Sequence, residues 1–144
     1  MRRFGFLFIA CLAAGTPAAT AVAASHEKAS PLHGPGSATH PAVSPDGLRL
    51  AFLSNFEGTA VDKPINFEIY IGDLEGEDLF RLTENDVFDA DIAWSPDGKQ
   101  IAFKTYRDGN DEIYVVGADG SGLRNLTRHE GSDSQPHWSP DGET

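Results

Sequence analysis

The sequence predicts an all-β repeat protein, and three observations support that prediction. The string Ser-Pro-Asp-Gly occurs three times, at residues 44–47, 95–98 and 139–142, and a turn that recurs with matching flanks is typical of repeat architectures. Short runs after the first two copies alternate apolar and polar residues with the period of two expected for strands. Outside residues 1–24, no segment carries a sustained helical stripe.

Residues 1–24 have the three-part layout of a secretory signal peptide. A basic start is followed by an apolar run from Phe4 to Leu12 and by small residues, with cleavage expected after Ala23 or Ala24. The apolar run is too short to cross a bilayer comfortably. We therefore expect secretion across the inner membrane, a periplasmic or extracellular location and no stable membrane span after cleavage. An uncleaved anchor is the alternative.

Composition excludes several classes of site and partner. The single cysteine, Cys11, lies in the signal segment, so the mature chain needs no disulfide and has no thiolate ligand or nucleophile. The formal charge of −11 becomes −13 without residues 1–24, because two arginines and no acid are removed. Such a surface repels nucleic-acid phosphates, so we expect no nucleic-acid partner. It favours solubility, or docking of a cationic partner.

Two complete units follow a polar, flexible linker at residues 25–39. The first unit covers about residues 40–86, the second about 89–130, and a third begins at about 134–144. Each complete unit is expected to form four short strands. Successive turns are 51 and then 44 residues apart, and the excess falls at Thr59–Asn66, which is typical of an insertion in a surface loop.

The repeated turn has the residue types that its backbone requires. Proline fixes φ at the first corner, aspartate is accepted at the second, and glycine takes the left-handed conformation that closes the turn. Serine can bond nearby backbone amides. We therefore predict structural roles for the twelve turn residues, which are Ser44, Pro45, Asp46, Gly47, Ser95, Pro96, Asp97, Gly98, Ser139, Pro140, Asp141 and Gly142.

Large aromatic residues recur in register with these turns. Such side chains usually fill cores rather than bind ligands. We predict that the packing between neighbouring units uses Trp94, Trp138, Phe52, Phe103, Tyr70 and Tyr114. Val43 stands where the later units have tryptophan, which predicts weaker packing of the first unit.

These blocks resemble the TolB-type β-propeller repeat. The resemblance is carried by Asp91–Phe103, Arg107–Val115, Asp119-Gly120 and Leu126-Thr127, and it covers residues 40–144. It implies β-propeller blades of four antiparallel strands, here two complete blades and the start of a third, in bacterial periplasmic or exported proteins. Because propellers use four to eight blades, we expect a fragment of a longer reading frame or self-association. We also expect the chain alone to be marginally stable.

No catalytic, cofactor or metal site is predicted. The sequence lacks a Gly-x-Ser-x-Gly elbow and a His-Glu-x-x-His motif. Residues 108–112 offer several oxygen ligands. The loop nevertheless lacks a glycine and a distal glutamate at the positions that an EF-hand requires. His129 and His137 lie near Asp133 and two serines, but sequence proximity alone does not make a triad.

The resemblance implies an exported, non-catalytic module for protein binding or scaffolding in the periplasm or cell envelope. The identity of the partner proteins is left open. The alternative is an N-terminal gating propeller of a secreted serine peptidase or amidohydrolase, whose catalytic domain would lie beyond residue 144. A propeller lyase is a third possibility that no residue here favours.

Overall fold

The computed structural model describes residues 37–55, 66–76 and 78–142. The predicted signal peptide, most of the predicted linker and nearly all of the predicted insertion lie outside the described residues. Within the described ranges the chain forms eight strands and no helix, so none of those residues belongs to a helix that could span a membrane. The prediction of an all-β protein is confirmed.

Two antiparallel sheets of four strands account for the two complete repeats. The strands pair in chain order, as β1-β2-β3-β4 and as β5-β6-β7-β8. Their bounds are β1 Ala38–Val43, β2 Arg49–Ser54, β3 Glu68–Asp73, β4 Phe80–Arg81, β5 Asp89–Trp94, β6 Gln100–Thr105, β7 Glu112–Gly117 and β8 Arg124–Asn125. Each sheet is one blade, as the sequence predicted. The third copy of the turn, at residues 139–142, follows the second blade.

Strand β1 begins slightly earlier than the first unit predicted from the sequence. It starts at Ala38, inside the last two residues of the predicted linker. Ala38 and Thr39 pair with Ser54 and Leu53 of β2. This pairing, which no local pattern in the polar lead-in reveals, extends the sheet into that segment.

The main core lies between the two blades. Alternation along β2 sends Ala51 and Leu53 toward the second blade and Phe52 to the opposite face. The buried members of this core are Ala51, Leu53, Ile69, Ile71, Ala90, Ile101, Phe103, Tyr114, Val116 and Ala118. Both blades contribute small and large apolar residues to this core.

The repeated turns have the same geometry in each copy. The N–H of Gly47 donates to Ser44 O at 2.9 Å, and the N–H of Gly98 donates to Ser95 O at 2.9 Å. Glycines 47, 98 and 142 have φ values of 73°, 67° and 77°. That is the left-handed region in which a Cβ is unfavourable.

A bulge interrupts the first strand of each blade. Pairing shifts between Thr39 and Ala42 in β1 and between Ala90 and Ala93 in β5. Three residues in matching repeat positions have positive φ, namely His40 at 51°, Asp91 at 54° and Gln135 at 55°. The bulge is therefore a recurrent part of the repeat, and the strand pattern did not predict it.

Candidate functional site

The first blade contacts the second along a seam whose two ends carry different chemistry. Antiparallel pairing places the Ser-Pro-Asp-Gly turns and the β3–β4 and β7–β8 connections at one end, called here the turn rim. The β2–β3 and β6–β7 loops and the connection between blades lie at the opposite end, called the loop rim. Loops fixed by rigid strands are the usual position for binding residues.

Successive turns lie against one another at the turn rim. A Cβ placed on Gly98 would lie 3.7 Å from Pro45 Cδ, and one placed on Gly142 would lie 3.8 Å from Pro96 Cδ. Arg49 Nη2 also donates to Gly98 O at 2.5 Å. The turns therefore join neighbouring repeats as well as closing their own hairpins.

A tryptophan hydrogen bond crosses between repeats just behind these turns. Trp94 Nε1–H donates to Ala42 O at 2.9 Å, and Trp138 Nε1–H donates to Ala93 O at 3.1 Å. The two acceptors occupy the same position in successive repeats. Val43 stands at the tryptophan position of the first repeat and has no such donor, and its side chain is exposed.

The six aromatic residues predicted for inter-unit packing lie on three different faces. Phe103, Tyr114 and Trp94 lie between the two blades. Phe52 and Tyr70 stack on the opposite face of the first sheet, with ring centroids 5.9 Å apart. Trp138 packs on the far face of the second sheet. Packing of these last three residues against further blades stays a prediction.

A buried glutamate holds the loop rim of the seam together. Glu68 accepts hydrogen bonds from Thr83 Oγ1 at 2.7 Å, from the N–H of Asn85 at 2.9 Å and from Asn66 Nδ2 at 2.8 Å. Its side chain is buried. Burial raises the pKa of Glu68 to about 7, although these donors favour the charged form.

A second buried carboxylate, Asp89, lies beside this glutamate. Asn85 Nδ2 bridges the two acids, 3.3 Å from Glu68 Oε2 and 3.0 Å from Asp89 Oδ2. Arg107 Nη2 lies 3.7 Å from Asp89 Oδ1, and its guanidinium covers the rings of Phe103 and Tyr114. Burial raises the pKa of Asp89 because it disfavours the carboxylate.

The second blade repeats this polar junction with one substitution. Glu112 accepts from Thr127 Oγ1, from Asn110 Nδ2 at 2.8 Å and from the N–H of His129 at 3.2 Å. His129 occupies the position of Asn85, and its Nε2 lies 2.9 Å from Asp133 Oδ2. The bond from Thr127 lowers the pKa of Glu112. The acids of both junctions thus bind neighbouring strands and connections.

These bonds leave the candidate reactive groups occupied. His129 Nδ1 accepts the N–H of Gly131 at 2.9 Å, and its Nε2 lies 2.9 Å from Asp133 Oδ2. Asp108 Oδ2 accepts from Tyr114 Oη at 2.5 Å and from Asn125 Nδ2 at 2.8 Å. Within residues 37–55, 66–76 and 78–142, no group of three or more His, Cys, Asp or Glu side chains could hold a metal ion.

Comparison with known proteins identifies the family. The family model PD40, the TolB beta propeller domain, matches residues 20–144. The chain belongs to the TolB-type β-propeller family. Its fold resembles that of a protein assigned as TolB from Agrobacterium tumefaciens, with a TM-score of 0.61 and 30% identity, over 74% of this chain and 36% of that one.

Two further proteins are similar to this TolB-type chain. TolB from Acinetobacter baumannii has a TM-score of 0.55 and 27% identity, over 78% of this chain and 25% of that one. The uncharacterized peptidase YuxL from Bacillus subtilis (strain 168) is 39% identical over 69 residues, which are 48% of this chain and 10% of YuxL. The chain thus spans about a third or less of each of these relatives.

Sequence reasoning missed the polar junctions, although a signal for them exists. Glu68 and Asp89 lie far apart in the chain, and only the fold brings them to one amide. The same pair recurs in the next repeat as Glu112 and Asp133, with each residue shifted by 44 positions. Acids that recur in register with a structural turn therefore indicate a structural network.

Proposed function

We propose that this chain is an exported, non-catalytic TolB-type propeller module that docks partner proteins in the bacterial periplasm or cell envelope. Membership of the TolB-type family supports it, together with the secretory layout of residues 1–24. The observation that carries it is that Glu68 and Asp89 are held by hydrogen bonds at the loop rim of the seam, and that His129 is held in the matching junction of the second blade. Side chains that hold blades together are poorly placed for turnover, whereas the rims they fix are suited to recognition.

Site-specific photocrosslinking from both rims tests this function. A photoreactive amino acid replaces Leu48 at the turn rim or Tyr106 at the loop rim, since both side chains are more than half exposed. The expected result is a discrete crosslink to an envelope protein from at least one rim, reproduced with the two purified proteins. Absence of a crosslink from both rims would overturn docking. Hydrolytic turnover by the purified chain would overturn the non-catalytic assignment.

Export has its own test. A fusion of the full chain to a periplasm-sensitive reporter is expected to be active, and deletion of residues 1–24 is expected to abolish that activity. A reporter that stays equally active after the deletion contradicts the predicted signal.

A second candidate function is favoured by the match to YuxL. We infer as the alternative that these blades form the gating propeller of a longer secreted peptidase, because 69 residues match part of a protein named a peptidase. The discriminating observation is the coding sequence after codon 144. A Gly-x-Ser-x-Gly motif some hundreds of codons later supports the peptidase. Further blades followed by a stop codon would contradict the peptidase alternative.

A further inference from the structure

An open, basic groove lies at the turn rim of the second blade. It has a volume of about 440 Å³ and is walled by the second turn, by the β7–β8 connection and by Arg49 of the first blade. Three cationic side chains line it, Arg49, Lys99 and Arg124, against one carboxylate, that of Asp119. Its charge is opposite in sign to the −11 of the whole chain.

The blade architecture does not require two of these cations. Arg124 pairs with Val115 in the same register in which Phe80 pairs with Ile71 in the first blade. Lys99 follows its turn glycine as Leu48 follows the first one. Since the first blade forms with apolar side chains at both positions, the basic character belongs to the groove and not to the repeat.

Arg49, which the first blade contributes, is held in place, while Lys99 and Arg124 are exposed to solvent. The Arg49 guanidinium lies 4.9 Å above the Trp94 ring and gives one N–H to Gly98 O. A guanidinium has five N–H groups in a rigid fork, so donors are left over for a carboxylate. Arg124 is exposed.

The carboxylates near the groove compete weakly. Asp97 Oδ2 lies 3.6 Å from Lys99 Nζ, and both side chains are more than half exposed. Such exposed pairs contribute little to stability, so a carboxylate of the partner can replace Asp97. Asp119 Oδ1 already accepts the N–H and the hydroxyl of Ser121, at 3.0 Å and 2.7 Å.

We infer that this groove binds an extended, acidic segment of a partner protein, with its carboxylates paired to Arg49, Lys99 and Arg124. The inference rests on the proposed docking function and specifies its partner chemistry. An open groove suits an extended chain, and arginine forks match carboxylates in bidentate geometry. The acidic remainder of the surface repels nucleic acids and anionic membranes, whose charge extends far beyond one groove. A short acidic segment engages the local positive charge alone.

Fluorescence anisotropy with a labelled peptide tests the groove. The probe is a short fluorescein-labelled peptide of alternating Glu and Ser, titrated with the full chain at low ionic strength. The double variant Lys99→Glu, Arg124→Glu is expected to weaken binding about tenfold or more, since two attractive ion pairs with the peptide become repulsions. Arg124→Glu alone is expected to weaken binding severalfold, and Arg128→Glu is its control of equal charge change, because Arg128 is an exposed arginine on the same blade that does not line this groove. It is expected to leave binding unchanged.

The outcomes separate this inference from the docking function. Unchanged affinity in a double variant with native thermal unfolding would overturn the groove, as would an equal loss in Arg128→Glu. Displacement of the peptide by inorganic phosphate at equal charge concentration would overturn the peptide assignment in favour of a small anion. A photocrosslinked envelope partner that ignores the double variant would retain docking and reject the groove.

Discussion

Single side chains at the seam stabilise the molecule by bonding to the neighbouring repeat. The tryptophan indole is the clearest case, because its N–H leaves its blade to bind a carbonyl of the preceding one. The Trp94 ring also supports Arg49, which in turn bonds Gly98. A change at this residue should therefore appear in the stability of both blades.

Trp94→Phe tests the inter-blade hydrogen bond. The phenyl ring keeps much of the packing but leaves Ala42 O without its donor, so the free energy of unfolding should fall by about 1–3 kcal/mol. Urea unfolding followed by circular dichroism measures the loss. Tyr106→Phe, at an exposed side chain, should change stability by less than about 0.5 kcal/mol. Equal losses in the two variants would contradict the role of the indole N–H.

The buried acids predict a specific dependence of stability on pH. The pKa of Glu68 rises from 4.5 to about 7 on folding, so the folded chain binds this proton more tightly than the unfolded chain. The contribution of Glu68 is therefore greatest below about pH 4.5 and is lost as the pH rises toward 7. The raised pKa of Asp89 acts in the same direction.

Glu68→Gln should reduce the decline in stability between pH 5 and 7, whatever its effect on absolute stability. Asp89 should preserve part of the slope. Urea midpoints measured across this pH window give the result. Glu112→Gln is the control. Because the pKa of Glu112 is lowered on folding, its contribution to stability is present above its ordinary pKa and is lost only in acid. This control should leave the dependence of stability on pH between 5 and 7 unchanged. If Glu68→Gln also left it unchanged, the raised pKa of Glu68 would be refuted.

At the level of elements, the turns are determined by their own residues, whereas the bulges depend on pairing with the neighbouring strand. Each Ser-Pro-Asp-Gly turn closes through its own residues, with Ser95 Oγ donating to Asp97 Oδ1 and accepting the N–H of Gln100. A four-residue string therefore predicts it. The bulge places Asp91 at positive φ between ordinary strand residues, and its geometry depends on pairing with β6. A local pattern carries no such information.

The same distinction explains how much of the molecule the sequence predicts. Strands β2, β3, β6 and β7 follow from apolar runs in register with the turns, and the TolB-type fold follows from their recurrence. The loop-rim junction does not, since Glu68 and Asp89 meet only after the blades pack. The basic groove also escapes prediction, because Arg49 and Arg124 come from different blades.

Glycine-to-alanine variants of two matching turns separate backbone strain from inter-repeat contact. Gly47→Ala and Gly98→Ala both place a Cβ at positive φ, which costs about 1–2 kcal/mol. A Cβ on Gly47 meets nothing within 4 Å, whereas one on Gly98 lies 3.4 Å from Arg49 Nη2. That distance is an ordinary van der Waals contact with the end of a flexible side chain, so the two variants should lower the urea midpoint by similar amounts. A clearly larger loss in Gly98→Ala would show that the added methyl group disturbs the contact between the turns.

At the level of the whole molecule, stability depends on how many blade faces are covered. Repeat proteins gain stability from the interfaces between neighbours as well as from each repeat. The two described blades share one seam, with Ile69, Ile101 and Phe103 fully buried in it. Val43, at the end of β1, remains exposed on the first blade. We therefore expect low stability or self-association of the isolated chain, and a highly stable, compact monomer in size-exclusion chromatography would contradict this expectation.

Ile101→Ala tests whether the two blades unfold as one unit through that seam. Loss of a fully buried isoleucine costs about 2–5 kcal/mol, which is comparable to the whole stability of a marginal domain. The variant should lose its cooperative unfolding transition. Circular dichroism and tryptophan fluorescence should both report this loss, because Trp94 lies at the seam. Leu48→Ala, at an exposed side chain, should unfold like the unmodified chain. If Ile101→Ala kept a sharp transition at an unchanged midpoint, the seam would not be what joins the blades, and each would have to fold independently.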